Sequence, residues 1–103
     1  MIRVTVSYPA KANVRFDHDY YHDTHRALLR ERLTAHGLAY VEIDRCLSDG
    51  AGNPPPVVAV AHMVFASLDG FQAGMAAHGK EIMADVARYT DITPNVLISE
   101  VVR

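Results

Sequence analysis

A four-stranded antiparallel sheet with two helices on one face, the ferredoxin-like βαββαβ class of α+β folds, is what this sequence predicts. Three observations lead there. Strand and helix periodicities follow one another as β-α-β-β-α-β over residues 1–103, which read as a single domain. Gly37 and the Ser48–Pro56 loop punctuate them, and the third strand is apolar on both faces. Right-handed crossovers close that order into a split βαβ sheet with both helices on one side.

The first strand runs from Ile2 to Tyr8, with Ile2, Val4, Val6 and Tyr8 on one face and Arg3, Thr5 and Ser7 on the other. Pro9 ends it. A helix follows from about Asp17 to His36, capped by Asp17 or Asp19 and stopped at Gly37, which suits the left-handed position past a helix end. Tyr21, Leu28 and Leu29 form its apolar stripe with His25 inside it, while Ala27 and Leu33 fall to either side. At 100° per residue His18, His22 and His25 share one side.

Leu38 to Leu47 reads as the second strand, with Ala39, Val41, Ile43 and Leu47 alternating with Tyr40, Glu42, Asp44 and Cys46. After the Gly- and Pro-rich hairpin loop, Val57 to Phe65 forms a strand covered on both sides. Ser67 caps a second helix that carries Phe71, Met75, His78, Ile82 and Val86 at helical spacing. Gly79 inside it marks close packing or a local break. Pro94 precedes a last strand, Asn95 to Val102.

Two helices cover only one face of such a sheet, so the apolar outer face of the third strand needs another cover. A second copy, sheet against sheet, is the simplest one, and a homodimer is expected.

Composition narrows the function. Half the residues are apolar and the net charge is −2 with no block of either sign, which gives no electrostatic grip on nucleic acid or anionic lipid. Cys46 is alone, so a reducing compartment such as the cytoplasm fits, and the alternating N-terminus reads as a strand rather than a secretory leader. The longest near-apolar run, Val57 to Ala66, is interrupted by His62 and too short to span a membrane as a helix. There is no Gly-rich phosphate loop and no cysteine cluster, so no cofactor is expected.

Chemistry concentrates in Phe16–His25, which holds three histidines, three acids and two tyrosines. His25 is the first candidate for a general acid/base, because partial burial favours the neutral, basic imidazole. Tyr21 and Tyr20 can donate to an oxyanion or simply supply aromatic surface. His18 and His22 form an i, i+4 pair of the kind zinc uses, but no third ligand follows, and no metal site is assigned. Tyr40 alternates with the Val41 and Ile43 face and can line a cavity opposite the helices, His62 needs a partner within its apolar strand, and His78 lies on the stripe of the second helix. The expectation is His25, Tyr21 and Tyr40 in catalysis, with Tyr20, His62 and His78 at the ligand.

Three stretches together resemble the EthD family of small dimeric α/β-barrel proteins: the opening strand with Tyr8-Pro9, the segment Phe16-Asp17 to Tyr20-Tyr21 to Thr24-His25, and Tyr89–Pro94 running into Ile98–Val101. Ser67-Leu68 with Phe71 and His78–Ile82 add to it, so the resemblance spans nearly the whole chain in order. It implies a ferredoxin-like protomer packed sheet to sheet with a partner, a fold shared with small monooxygenases, lactone isomerases and polyketide cyclases. Leu97 stands where the family often shows glutamine. The founding member is linked to ethyl tert-butyl ether breakdown beside a cytochrome P450 system.

Residues and resemblance together point to a cofactor-free protein of catabolic or secondary metabolism that binds an apolar or aromatic small molecule. With His25 as acid/base it would be an isomerase, dehydratase or cyclase, or a cofactor-independent oxygenase. The alternative is a non-catalytic accessory protein that delivers a hydrophobic metabolite to a partner oxygenase.

Overall fold

The computed structural model describes residues 1–102. Strands β1 (Ile2–Pro9), β2 (Leu38–Arg45), β3 (Val57–Phe65) and β4 (Asn95–Glu100) form one antiparallel sheet in the order β2-β3-β1-β4. Between β1 and β2 runs a single helical segment of changing pitch: α1 (His18–Tyr20), a π-helical turn (Tyr21–His25), α2 (Arg26–Leu33) and a 3-10 turn (Thr34–His36). The helix α3 (Leu68–Val86) joins β3 to the turn before β4.

Local signals set the helix ends. Asp17 accepts a hydrogen bond from the amide of Tyr20 at 3.1 Å, and Ser67 accepts one from Gly70 at 3.1 Å. Gly37 takes a φ of 92°, the left-handed value that lets the chain turn straight into β2.

The π turn follows from spacing. Tyr21, His25, Leu29 and Leu33 recur every four residues and all are buried. At 3.6 residues per turn such a row drifts about 40° at each step, so a regular helix could not keep all four on one face. Under-winding one turn, with the Arg26 amide donating to the Tyr21 carbonyl, brings Tyr21 and His25 back over the sheet. Two sequence expectations are corrected by this. Leu33 lies in the core stripe rather than beside it, and His22 faces solvent while His25 faces inward.

The strand β2 also departs from simple alternation. Its register shifts between Leu38 and Tyr40, so Leu38 and Val41 both point to the helices while Ala39 is exposed. Leu47 lies beyond the strand and is exposed, which corrects its place on the inner face. Likewise, α3 runs unbroken through Gly79, where an added Cβ would meet only Met75. The tight glycines are Gly70, whose Cβ would run into the His36 carbonyl oxygen, and Gly74, whose Cβ would stand 2.9 Å from the Leu33 side chain.

Two adjoining clusters make the core beneath the helices. One packs Val4, Leu33, Met63, Phe65 and Phe71; the other gathers Tyr8, Tyr21, Tyr89 and Ile92 over Ala59 and Ala61. The small alanines of β3 leave the depth that the tyrosine rings fill. The opposite face of the sheet carries Arg3, Thr5, Tyr40, Glu42 and His62 beside Val60 and Leu97.

Candidate functional site

Where the two clusters meet, between the sheet and the helices, the packing leaves a cavity of about 70 Å³. Val4, Ala61 and Met63 floor it, Tyr21 and His25 wall it, and Met83 and Val96 stand at its rim, both more than half exposed. Among the described residues no Lys, Arg, Asp or Glu lines it.

His25 is the one titratable imidazole at this cavity, and only 4 % of it is exposed. Its Nδ1 lies 2.8 Å from Oδ2 of Asp85, in the last turn of α3. As a carboxylate Asp85 only accepts, so Nδ1 carries the proton and Nε2 is left with its lone pair. The other Asp85 oxygen accepts from the Tyr20 hydroxyl at 2.7 Å, and the Arg88 guanidinium stands 3.7 Å away. Burial holds the His25 pKa below its ordinary value, and the hydrogen bond and charge of Asp85 pull the other way. A neutral imidazole with a fixed tautomer, facing an apolar space, is a Brønsted base.

Tyrosine rings pack against the base. Tyr8 and Tyr89 share a hydrogen bond through their hydroxyls, and the buried Tyr21 hydroxyl lies beside that of Tyr8. The Tyr21 ring stacks on His25 with centroids 5.7 Å apart, and Tyr89 packs against His25 at 4.8 Å. Burial raises the pKa of all three tyrosines, so each is a neutral donor.

Of the residues singled out from sequence, the structure brings His25 and Tyr21 to the cavity. Tyr20 does not line it; its hydroxyl is spent on Asp85. Tyr40 and His62 lie on the opposite face of the sheet, where His62 pairs with Asp44 at 2.9 Å, so neither reaches His25. The reason is the pleat: both belong to the row that pairs with Arg3 and Thr5, not with Val4. His78 is also away from the cavity, edge-on to His36 with centroids 5.6 Å apart. His18 packs on Phe16, and His22 pairs with Asp23 at the surface. The described residues hold no group of three or more His, Cys, Asp or Glu side chains placed for a metal.

Asp85, Tyr8 and Tyr89 were not among the candidates. Asp85 did leave a signal. An acid in the last turn of a helix opposes the helix dipole, so its presence there asks for a partner outside the helix. Tyr8 and Tyr89 carry no such mark, because a tyrosine facing a core reads the same whether or not its hydroxyl has work to do.

The fold is a ferredoxin-like α+β domain, with an Asp-held histidine at an apolar cavity between sheet and helices. Within that class, the model of the EthD domain matches residues 13–93, and the chain belongs to the EthD family. It is similar to an EthD-like protein from Ralstonia eutropha JMP134, with 43% identity over 99% of this chain and 92% of that one, at a TM-score of 0.93. An ethyl tert-butyl ether D (EthD) family protein from Bacillus halodurans C-125 has the same fold at 19% identity, covering 99% of both chains with a TM-score of 0.67. A dimeric ferredoxin-like protein from an uncultured marine organism shares it at 16% identity over 100% of both chains, with a TM-score of 0.52. None of the curated proteins matches the chain.

Proposed function

We propose that this EthD-family protein binds a small apolar molecule in the cavity beside His25 and moves a proton on it through Nε2. The observation that carries the reading is the Asp85–His25 hydrogen bond, which commits Nδ1 and leaves a neutral base at an apolar wall. Isomerisation, dehydration and cyclisation are the reactions for which such a base suffices. The apolar lining alone would also serve a carrier that hands a hydrophobic metabolite to an oxygenase. The Asp85–His25 pair has no task in that role, which favours catalysis.

Size limits the ligand. A dry cavity of about 150 Å³ accommodates benzene, roughly twice the space here. An aromatic ring therefore enters only if Met75 and Met83, flexible and at the cavity, swing aside. A thermal-shift series of phenol, small lactones and tert-alkyl alcohols tests this, with His25→Ala in parallel. A saturable rise in the wild-type melting temperature supports the cavity as a binding site. No rise with any of them counts against it. An enzyme loses turnover in His25→Ala while binding persists; a carrier keeps its function.

The same reading includes a two-fold dimer through the open sheet face. Val60 and Leu97 supply its apolar area, and the similarity to a protein described as dimeric supports it.

A further inference from the structure

We propose that Tyr20 is a positioning residue for the base: its hydroxyl occupies one oxygen of Asp85, so that the carboxylate fixes the His25 ring without drawing it into the charged state. The inference rests on the reading of His25 as a base, and it names the group that keeps it one.

A histidine held by a carboxylate has two outcomes. The pair can remain carboxylate and neutral imidazole, or the imidazole can take up a proton and close an ion pair. Only the first leaves a lone pair on Nε2 near neutral pH. Burial of the ring works for the first outcome, and the hydrogen bond and charge of Asp85 work for the second. The Asp85 side chain is itself only 12% exposed and lies 2.8 Å from Nδ1, so water does little to weaken its pull.

A protein donor weakens it instead. The two oxygens of Asp85 are divided: Oδ2 accepts from His25, and Oδ1 accepts from the Tyr20 hydroxyl at 2.7 Å. A hydrogen bond to a carboxylate is charge-assisted, and a donor on Oδ1 lowers the charge left for Nδ1. Asp85 in turn raises the Tyr20 pKa, so the hydroxyl stays a neutral donor. Packing delivers that hydroxyl, because the Tyr20 ring stacks on Tyr89 with centroids 6.1 Å apart.

No other neighbour does the same work as well. Arg88 puts Nε 3.7 Å from the same Oδ1, but its side chain is 72% exposed and water screens it. Tyr21 and Tyr89 pack on the imidazole as neutral hydroxyls, and the sheet below presents Tyr8 and apolar side chains. Glu81, one turn before Asp85 on α3, is taken up by Arg32 at 2.9 Å.

Titration of His25 by NMR in the full-length protein, with no ligand added, decides the matter. Tyr20→Phe keeps the ring on Tyr89 and removes only the donor. The His25 pKa is expected to rise by about half a unit to one unit, a share of one hydrogen bond to a charged group. An unchanged pKa, or a fall, would overturn the proposal whatever the melting temperature does; a purely structural Tyr20 moves the melting temperature alone. In the wild type, the Tyr20 ring carbon that bears the hydroxyl should show an inflection at the His25 pKa, because both groups bond to one carboxylate. Its absence would overturn the proposal even if the variant does not fold. A cavity that takes no ligand would remove the catalytic reading of His25, while the titration still decides whether Tyr20 sets its charge.

Discussion

Asp85 and His25, sixty residues apart in the chain, meet at 2.8 Å between the last turn of α3 and the widened turn of the first helical segment. The contact ties the two helices over the same cavity and commits Nδ1, which leaves the lone pair on Nε2. Each partner depends on the other. The acid is out of place at a helix C-terminus without a donor, and the imidazole would be free to present either nitrogen without the acid.

Asp85→Asn should reverse the tautomer. An amide can offer Nδ1 a donor, so the ring proton moves to Nε2 and the cavity loses its base. Nitrogen-15 NMR of His25 reads the change directly, and any turnover that depends on Nε2 should fall about 100-fold or more. Turnover unchanged with an unchanged tautomer would remove Asp85 from its positioning role.

Stability should depend on His25 near neutral pH. Its folded pKa lies below its ordinary value of 6.5, with burial as the first cause, against Asp85 on α3 and with Tyr21 and Tyr89 packed on the ring. The unfolded chain therefore binds more protons than the folded one between the two pKa values. Stability is full above about 6.5 and is lost as pH falls towards the folded pKa. Urea midpoints measured from pH 8 to 5 should decline through that window. A His25→Gln protein should show a flatter profile over the same range.

Two glycines of α3 should respond oppositely to alanine. In Gly70→Ala the new Cβ runs into the His36 carbonyl oxygen, and backbone cannot yield cheaply, so a loss of about 1–3 kcal/mol is expected. In Gly79→Ala the contact is the mobile end of Met75 at 3.3 Å, and helix propensity favours alanine by about 1 kcal/mol. Urea denaturation of the pair tests whether α3 is pinned at its N-terminal turn.

The open sheet face should hold a second copy. Sedimentation at micromolar concentration is expected to give a dimer. Val60→Arg, which sets a charge among the outer residues of β3, should shift it to monomer with the fold retained by circular dichroism. A wild-type monomer would remove the sheet-to-sheet assembly.

The legibility of this chain varies by residue. Asp17, Gly37 and Ser67 each satisfy a backbone need at one helix end, and all three take the places their chemistry indicates. His25 and Tyr21 stood out because polar groups within an apolar stripe are conspicuous. His62 stood out in the same way, and Tyr40, read as lying opposite the helices, does lie on that face with it. That placement separates both from His25, because the pleat assigns each row to one side of the sheet. The four-residue recurrence of Tyr21, His25, Leu29 and Leu33 was the missed signal for an under-wound turn.

By itself the sequence determined the element order, the helix ends and the family, because turn residues, caps and periodicities act over a few positions and are written side by side. Only the tertiary structure decided that His25 belongs with Asp85, that the Tyr21 hydroxyl is buried beside Tyr8, and that Tyr40 and His62 face away from the cavity. Those relations join residues from different elements. Their distances come from strand register and helix pitch, and a one-residue change in either turns a side chain from the cavity to solvent.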